Sequence, residues 1–115
     1  MLQKYRFEEA ICLEMEMPDY SQNKFLPPLS VQTLLENAFK HNIATIESPL
    51  CISITCKGDI LEVKNNLQSQ TRPVPGKQLG LINLVKRYEL VWSQLPEFIC
   101  TEHEYLVRLP LIEAE

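Results

Sequence analysis

Five polar residues, Thr33, Glu36, Asn37, Lys40 and His41, stand at i, i+3, i+4, i+7 and i+8, the spacing that gathers side chains on one face of a helix. An amide, a cation, an imidazole and a carboxylate would converge there. A neutral amide oxygen suits Mg²⁺, and a lysine one turn on suits a phosphate oxygen, so this set has the chemistry of a metal-phosphate site. A solvated helix face is the commoner meaning of the same spacing, and periodicity leaves both readings open. Gly80 adds a second hint. It stands ahead of another apolar periodic segment, where a residue without a Cβ lets the backbone approach an anion and the unpaired amides of a first turn point outward. By itself it reads equally as a loop glycine.

Other chemistry is poorly represented. The four cysteines, Cys12, Cys51, Cys56 and Cys100, include no Cys-x-x-Cys pair and sit in apolar, strand-like segments, so they read as small buried hydrophobes in a reducing compartment rather than zinc ligands or a disulfide framework. His41 and His103 have no partner at ligand spacing. With 11 basic and 15 acidic side chains in 115 residues the net charge is −4, which opposes general binding to a nucleic-acid backbone. No apolar run approaches bilayer length, and the start MLQKYRFEEA lacks the features of a signal peptide, so the expectation is a soluble, intracellular domain with a single core.

Those candidate residues need elements to hold them. Residues 10–17 alternate, with Ile11, Leu13, Met15 and Met17 opposite Glu14 and Glu16, as in a half-buried strand. Pro27-Pro28 suits a helix start, Ser30 suits an N-cap, and a helix to about Asn42 buries Val31, Leu34, Leu35, Ala38 and Phe39. Residues 50–56 and 60–64 form a hairpin around Lys57-Gly58-Asp59. Residues 66–79 carry two prolines and a glycine without periodicity and form the one long irregular stretch, of the kind that is usually functional. A second helix from Leu81 buries Leu81, Leu84, Val85, Tyr88, Val91 and Trp92, and strands follow over 97–101 and 105–111 with a turn at 102–104. The fold class is α+β: a mixed five-stranded sheet carrying both main helices on one face as a two-layer sandwich. Its other face is partly exposed or covers another element.

Residues 25–42, FLPPLSVQTLLENAFKHN, resemble the N box of LytS-like sensor histidine kinases, with Pro-Pro, an apolar segment containing Gln, and Glu-Asn-Ala-x-Lys-His. Residues 79–91, LGLINLVKRYELV, resemble the same family's later glycine box and helix through Gly80, Leu81, Asn83 and Arg87. The two stretches stand in the family's order. Tyr5-Arg6-Phe7 is similar to the Leu-Arg-Phe that closes the preceding helical segment, so the resemblance spans nearly the whole chain and leaves out the phosphoacceptor segment.

The resemblance implies the Bergerat (GHKL) sandwich, with residues 1–8 ending a helical linker, 9–115 forming one ATP-binding catalytic domain, and a short lid at 67–79. It implies ATP and Mg²⁺ as cofactors, with Asn37 the Mg²⁺ ligand and Asn37 and Lys40 the catalytic pair. Glu36, Asn37, Lys40, His41, Asn65, Asn66, Gly80, Leu81 and Asn83 would line the cofactor site. The activity implied is a transferase of two-component signal transduction: the γ-phosphoryl group passes to a histidine on a separate helical dimerisation segment of the same protein. A LytTR-type response regulator would follow. The parent is expected to be a membrane-anchored homodimer whose domain lies in the cytoplasm, with no direct contact to nucleic acid. Three positions depart from the pattern. Asn65-Asn66-Leu67 replaces Asp-x-Gly, so the adenine amino group would meet an uncharged acceptor. Gln78 replaces the first glycine of the glycine box. Thr33 stands where ATP-hydrolysing relatives carry a glutamate base, so hydrolysis by water is not expected. The alternative is a degenerate domain of the same fold that binds nucleotide weakly or not at all and acts through protein contacts.

Overall fold

The computed structural model describes residues 2–7, 10–16, 24–27, 29–42, 45, 47–67 and 79–113. In chain order the elements are β1 (Leu2–Phe7), β2 (Ile11–Glu16), β3 (Lys24–Phe25), α1 (Ser30–His41), β4 (Leu50–Lys57), β5 (Ile60–Asn66), α2 (Leu79–Val91), β6 (Glu97–Cys100), β7 (Glu104–Pro110) and β8 (Ile112–Glu113).

The five strands expected from the sequence are present as β2, β4, β5, β6 and β7, in a sheet ordered β1-β2-β4-β5-β7-β6. Residues 2–7 correct the expectation of a helical linker: they form an edge strand, antiparallel to β2 from Leu2↔Glu16 to Phe7↔Ile11. Aromatic Tyr5 and Phe7 alternate with Lys4 and Arg6 at a period of two, which favours extended chain, and the edge of β2 offers unpaired backbone groups to receive it. The sheet is mixed because β2 and β4 run parallel, joined by a connection through α1, as parallel neighbours require. Its other pairs among the described residues are antiparallel.

Both helices cover one side of this sheet. Leu34 and Ala38 of α1, and Leu81, Leu84 and Tyr88 of α2, join Leu50, Ile52, Ile54, Leu61, Val63, Val107 and Leu109 of the strands in one buried cluster. Phe39 and Val91, expected inside, are about half exposed, at 47% and 57%. Each lies at the margin of its helix's apolar stripe, where rotation by one position leaves the core. Trp92 packs partly against the cluster beyond the end of α2. The two-residue turn Gly58-Asp59 joins β4 to β5, with Lys57 opposite Ile60. Gly58 has φ 61°, the left-handed backbone that such turns need at the first central position.

The opposite sheet face is a ladder of charge. Arg108 Nε lies 3.1 Å from Glu62 Oε2, Lys57 Nζ lies 3.1 Å from Glu62 Oε1, and Arg108 Nη1 lies 3.4 Å from Glu97 Oε1. These residues are cross-strand neighbours, Glu97↔Arg108↔Glu62. Lys57 and Glu97 reach solvent while the Glu62 side chain between them is 16% exposed, so this face is polar but only partly open.

Candidate functional site

The entry to α1 is made by a bend rather than by the expected cap. Leu29 takes a left-handed conformation, φ 63° and ψ 15°, and the Ser30 hydroxyl donates backward to the Pro27 carbonyl at 2.6 Å instead of accepting from the first-turn amides. The backbone amide of Ser30 bonds the same carbonyl at 3.3 Å. With Pro27 imposing its own φ, this double bond fixes where the helix begins. At the other end the Asn42 side chain donates to the Ala38 carbonyl at 2.9 Å, closing one of the orphan acceptors of the last turn.

The polar face of α1 divides along its length. Asn37 is half-buried, whereas Glu36 and Lys40 are exposed, and Glu36 accepts a bond from Gln32 Nε2 at 3.1 Å one turn earlier. Thr33 is half-buried: its Oγ1 accepts from Arg87 Nη2 at 3.4 Å, and its methyl group faces Gly80 across the helix pair. A Cβ added to Gly80 would lie 3.3 Å from that methyl, so the helices touch where glycine allows it. The side chain of His41, the last residue of α1, lies outside the described residues.

Gly80 is the second residue of α2 rather than the residue before it, because the helix starts at Leu79, two residues earlier than the sequence suggests. It remains exposed, and the first turn carries no acidic side chain. No acidic side chain of that turn therefore opposes the positive end of the helix dipole. Leu81 is 7% exposed and belongs to the core, so only its backbone is available to a ligand; Asn83 is exposed.

Asn65 and Asn66 part company. Strand alternation sends Asn65 to the helix side, where it is 6% exposed beside Ile52 and Tyr105 in register and donates from Nδ2 to the Asn66 carbonyl at 2.9 Å. Asn66 turns to the open face. Its Oδ1 accepts from the Cys51 amide at 2.6 Å and its Nδ2 donates to the Pro49 carbonyl at 3.2 Å. These bonds brace the start of β4, and Asn66 meets Asn65 again only at the end of the strand, where both line one cleft.

The helix side thus carries Asn37 on α1, Asn65 on β5 and the first turn of α2, with α1 packed over both β5 and α2. Of the expected lid, Leu67 is anchored by a bond from its amide to the His103 carbonyl at 2.9 Å, and Leu79 already belongs to α2. Residues 68–78, including Gln78, lie outside the described residues.

Two clefts occur among the described residues. One, of about 240 Å³ at the end of the sheet, is lined by Glu14, Cys51, Ile52, Ser53, Lys64, Asn65, Asn66 and Glu104, so it includes Asn65; Lys64 Nζ is 3.9 Å from Glu104 Oε1. The second, of about 300 Å³, lies between the end of α2 and the β3–β8 pair, against Leu26, Arg87, Leu90, Val91 and Ile112. Sequence reading missed the first because it depends on which residues four different strands, β2, β4, β5 and β7, bring together.

The expectation that all four cysteines are buried is corrected. Cys12 is buried, Cys56 is half-buried, and Cys51 and Cys100 are exposed, since Cys51 and Cys100 occupy outward or edge positions in otherwise apolar strands. No group of three or more metal-ligating side chains occurs among the described residues, and no helix there is long and apolar enough to cross a membrane.

No protein-family model matches this chain, and no curated protein matches it.

Proposed function

We propose that the chain is an ATP-binding catalytic domain of the LytS-like histidine kinase type, with the Bergerat fold. The observation that carries this reading is Asn65. It stands at the sequence position of the family's adenine-binding aspartate, and it is a buried polar residue on the helix side of the sheet, beneath the helix that bears Asn37. An adenine amino group is the kind of donor its amide oxygen would accept. Asn37, half-buried on α1, offers a neutral oxygen of the type Mg²⁺ takes, and exposed Lys40 one turn on offers a phosphate contact. The outward amides of the first turn of α2 suit an anion. Bound Mg-ATP would supply the phosphoryl group for transfer to a histidine on a separate helical segment, a reaction that rests on positioning and electrostatics rather than on a protein nucleophile. Cytoplasmic placement, a membrane-anchored homodimeric parent and a LytTR-type regulator as receiver belong to the same proposal.

A second reading is favoured by the contact between Thr33 and Gly80. The helices meet at the place where the proposal needs room for phosphates, and a domain closed there would bind nucleotide weakly and act through protein contacts. Calorimetric titration with ATP, with and without Mg²⁺, separates the two. The kinase reading expects Mg²⁺-dependent binding that Asn37→Ala weakens at least about tenfold, about 1.4 kcal/mol, with the fold preserved by circular dichroism. Absence of binding in the unaltered chain favours the second reading, and equal affinity in the Asn37→Ala chain removes that residue from the site.

A further inference from the structure

We propose that Cys12 and Cys51 form a reversible dithiol–disulfide site on the open face of the sheet. They lie on neighbouring strands, β2 and β4, and are direct register partners in the parallel ladder, Cys12↔Cys51. Both carry thiols. Each is followed by a core residue, Leu13 after Cys12 and Ile52 after Cys51, so strand alternation turns both cysteines to the face away from the helices. Paired strands run about 4.8 Å apart, inside the range of Cα separations that disulfides span. Disulfides have Cβ atoms about 3.8 Å apart, closer than neighbouring strands hold them, so closing the bond draws β2 toward β4 and leaves it easy to reduce.

The two thiols differ in access, and this sets the order of events. Cys51 is exposed and Cys12 is 7% exposed. With a small-molecule disulfide as oxidant, the Cys51 thiolate attacks one sulfur of the reagent, forms a mixed disulfide and releases one small thiol. The Cys12 thiolate then attacks Sγ of Cys51, forms the intramolecular bond and releases the second small thiol. The protein loses two protons and two electrons, and the reagent is reduced to two thiols. The link closes a loop from residue 12 to residue 51 that contains all of α1, and it fastens the parallel ladder of β2 and β4.

The test is incubation of the whole chain with oxidised glutathione under native conditions, then blocking of remaining thiols and mass analysis. The monomer should lose two hydrogens, and trypsin should release the peptide 7–24 linked to the peptide 41–57. Because the second peptide holds both Cys51 and Cys56, the link should persist in Cys56→Ser and vanish in Cys51→Ser. In Cys12→Ser the reaction should stop at a glutathione adduct on Cys51. Dithiothreitol should restore both thiols. Retention of an alkylatable Cys12 in the oxidised native chain, a link that survives Cys51→Ser, or oxidation only between two chains would overturn the proposal. Nucleotide binding does not enter the test, so its result stands apart from that of the kinase reading.

Discussion

A buried amide at Asn65 can be asked to do something that an aspartate cannot. Its Nδ2 donates to the Asn66 carbonyl at 2.9 Å, so Asn65→Asp removes the donor and sets a carboxylate oxygen against a carbonyl oxygen in a site that is 6% exposed. Leaving such a group without a partner costs about 1–3 kcal/mol, more when it is charged. The free protein should therefore unfold at lower temperature. Under the kinase reading the same carboxylate is a stronger acceptor for an adenine amino group, since a bond to a charged partner contributes about 1.5–3 kcal/mol against about 0.5–1.5 for a neutral one. Thermal unfolding with and without Mg-ATP should then show a lower starting Tm and a larger upward shift for Asn65→Asp than for the unaltered chain, with ATP preferred over GTP. A lowered Tm with no nucleotide-dependent shift in either chain would point to the second reading. The adjacent Asn66 shows why residue identity alone misleads. Its neighbour faces the helices and it faces away, so two asparagines that the sequence treats as one motif belong to opposite sides of a strand.

Between α1 and α2 the contact is set by a single missing side chain. Gly80 lies in the first turn of α2 without a positive φ, so alanine is free of backbone strain there, and its helix propensity is better by up to about 1 kcal/mol, less near a helix end. The new Cβ would come 3.3 Å from the Thr33 methyl, and Thr33 is restrained by Arg87 through its hydroxyl. Gly80→Ala alone should be close to neutral as the two effects offset each other. With Thr33→Ser, which removes the methyl and keeps the hydroxyl, the same alanine should stabilise by about 0.5 kcal/mol relative to Thr33→Ser alone, readable as a double-mutant cycle in urea. An additive cycle would mean that the methyl does not limit the approach of the helices. The helices, the hairpin and the five expected strands were legible because each has its own period or turn chemistry: the i, i+3, i+4 stripe of α1, the glycine of the Gly58 turn, the alternation of β4. What was not legible depends on partners distant in the chain. Residues 2–7 extend only because β2 has an edge to offer, Thr33 leaves the solvated face only because α2 comes alongside, and Cys12 meets Cys51 only through the parallel connection. The candidate site was legible as far as its helix face, and as far as Asn65 by resemblance. Its division between Asn65 and Asn66 required the strand's facing.

On the scale of the whole molecule, two tyrosines tie the layers together and set how the fold meets alkali. Tyr88 of α2 is fully buried, and its hydroxyl donates to the carbonyl of Pro110 at the end of β7 at 2.7 Å. Burial pushes its pKa well above the ordinary tyrosine range. Tyr105 of β7, in register with Asn65 and Cys100, is pushed up from 10.0 to about 12, first by burial and then by the charge of the Cys100 thiolate. In both cases the folded chain holds a phenolic proton that the unfolded chain releases near pH 10. Below that pH the two states bind the same number of these protons and the stability is fully present. Above it the unfolded state binds fewer, so unfolding stability must fall as pH rises, up to the folded pKa of about 12 for Tyr105 and beyond it for Tyr88. Urea midpoints measured upward from neutral pH should therefore stay level with respect to these groups and then decline from about pH 10, while tyrosinate absorbance of the folded chain rises by less than that of the unfolded one. Tyr88→Phe should lower stability at neutral pH by about 1 kcal/mol, through the unpaired Pro110 carbonyl, and make the alkaline decline shallower. Tyr105→Phe should make the decline shallower as well. An alkaline slope unchanged in both variants would show that these phenols do not carry it.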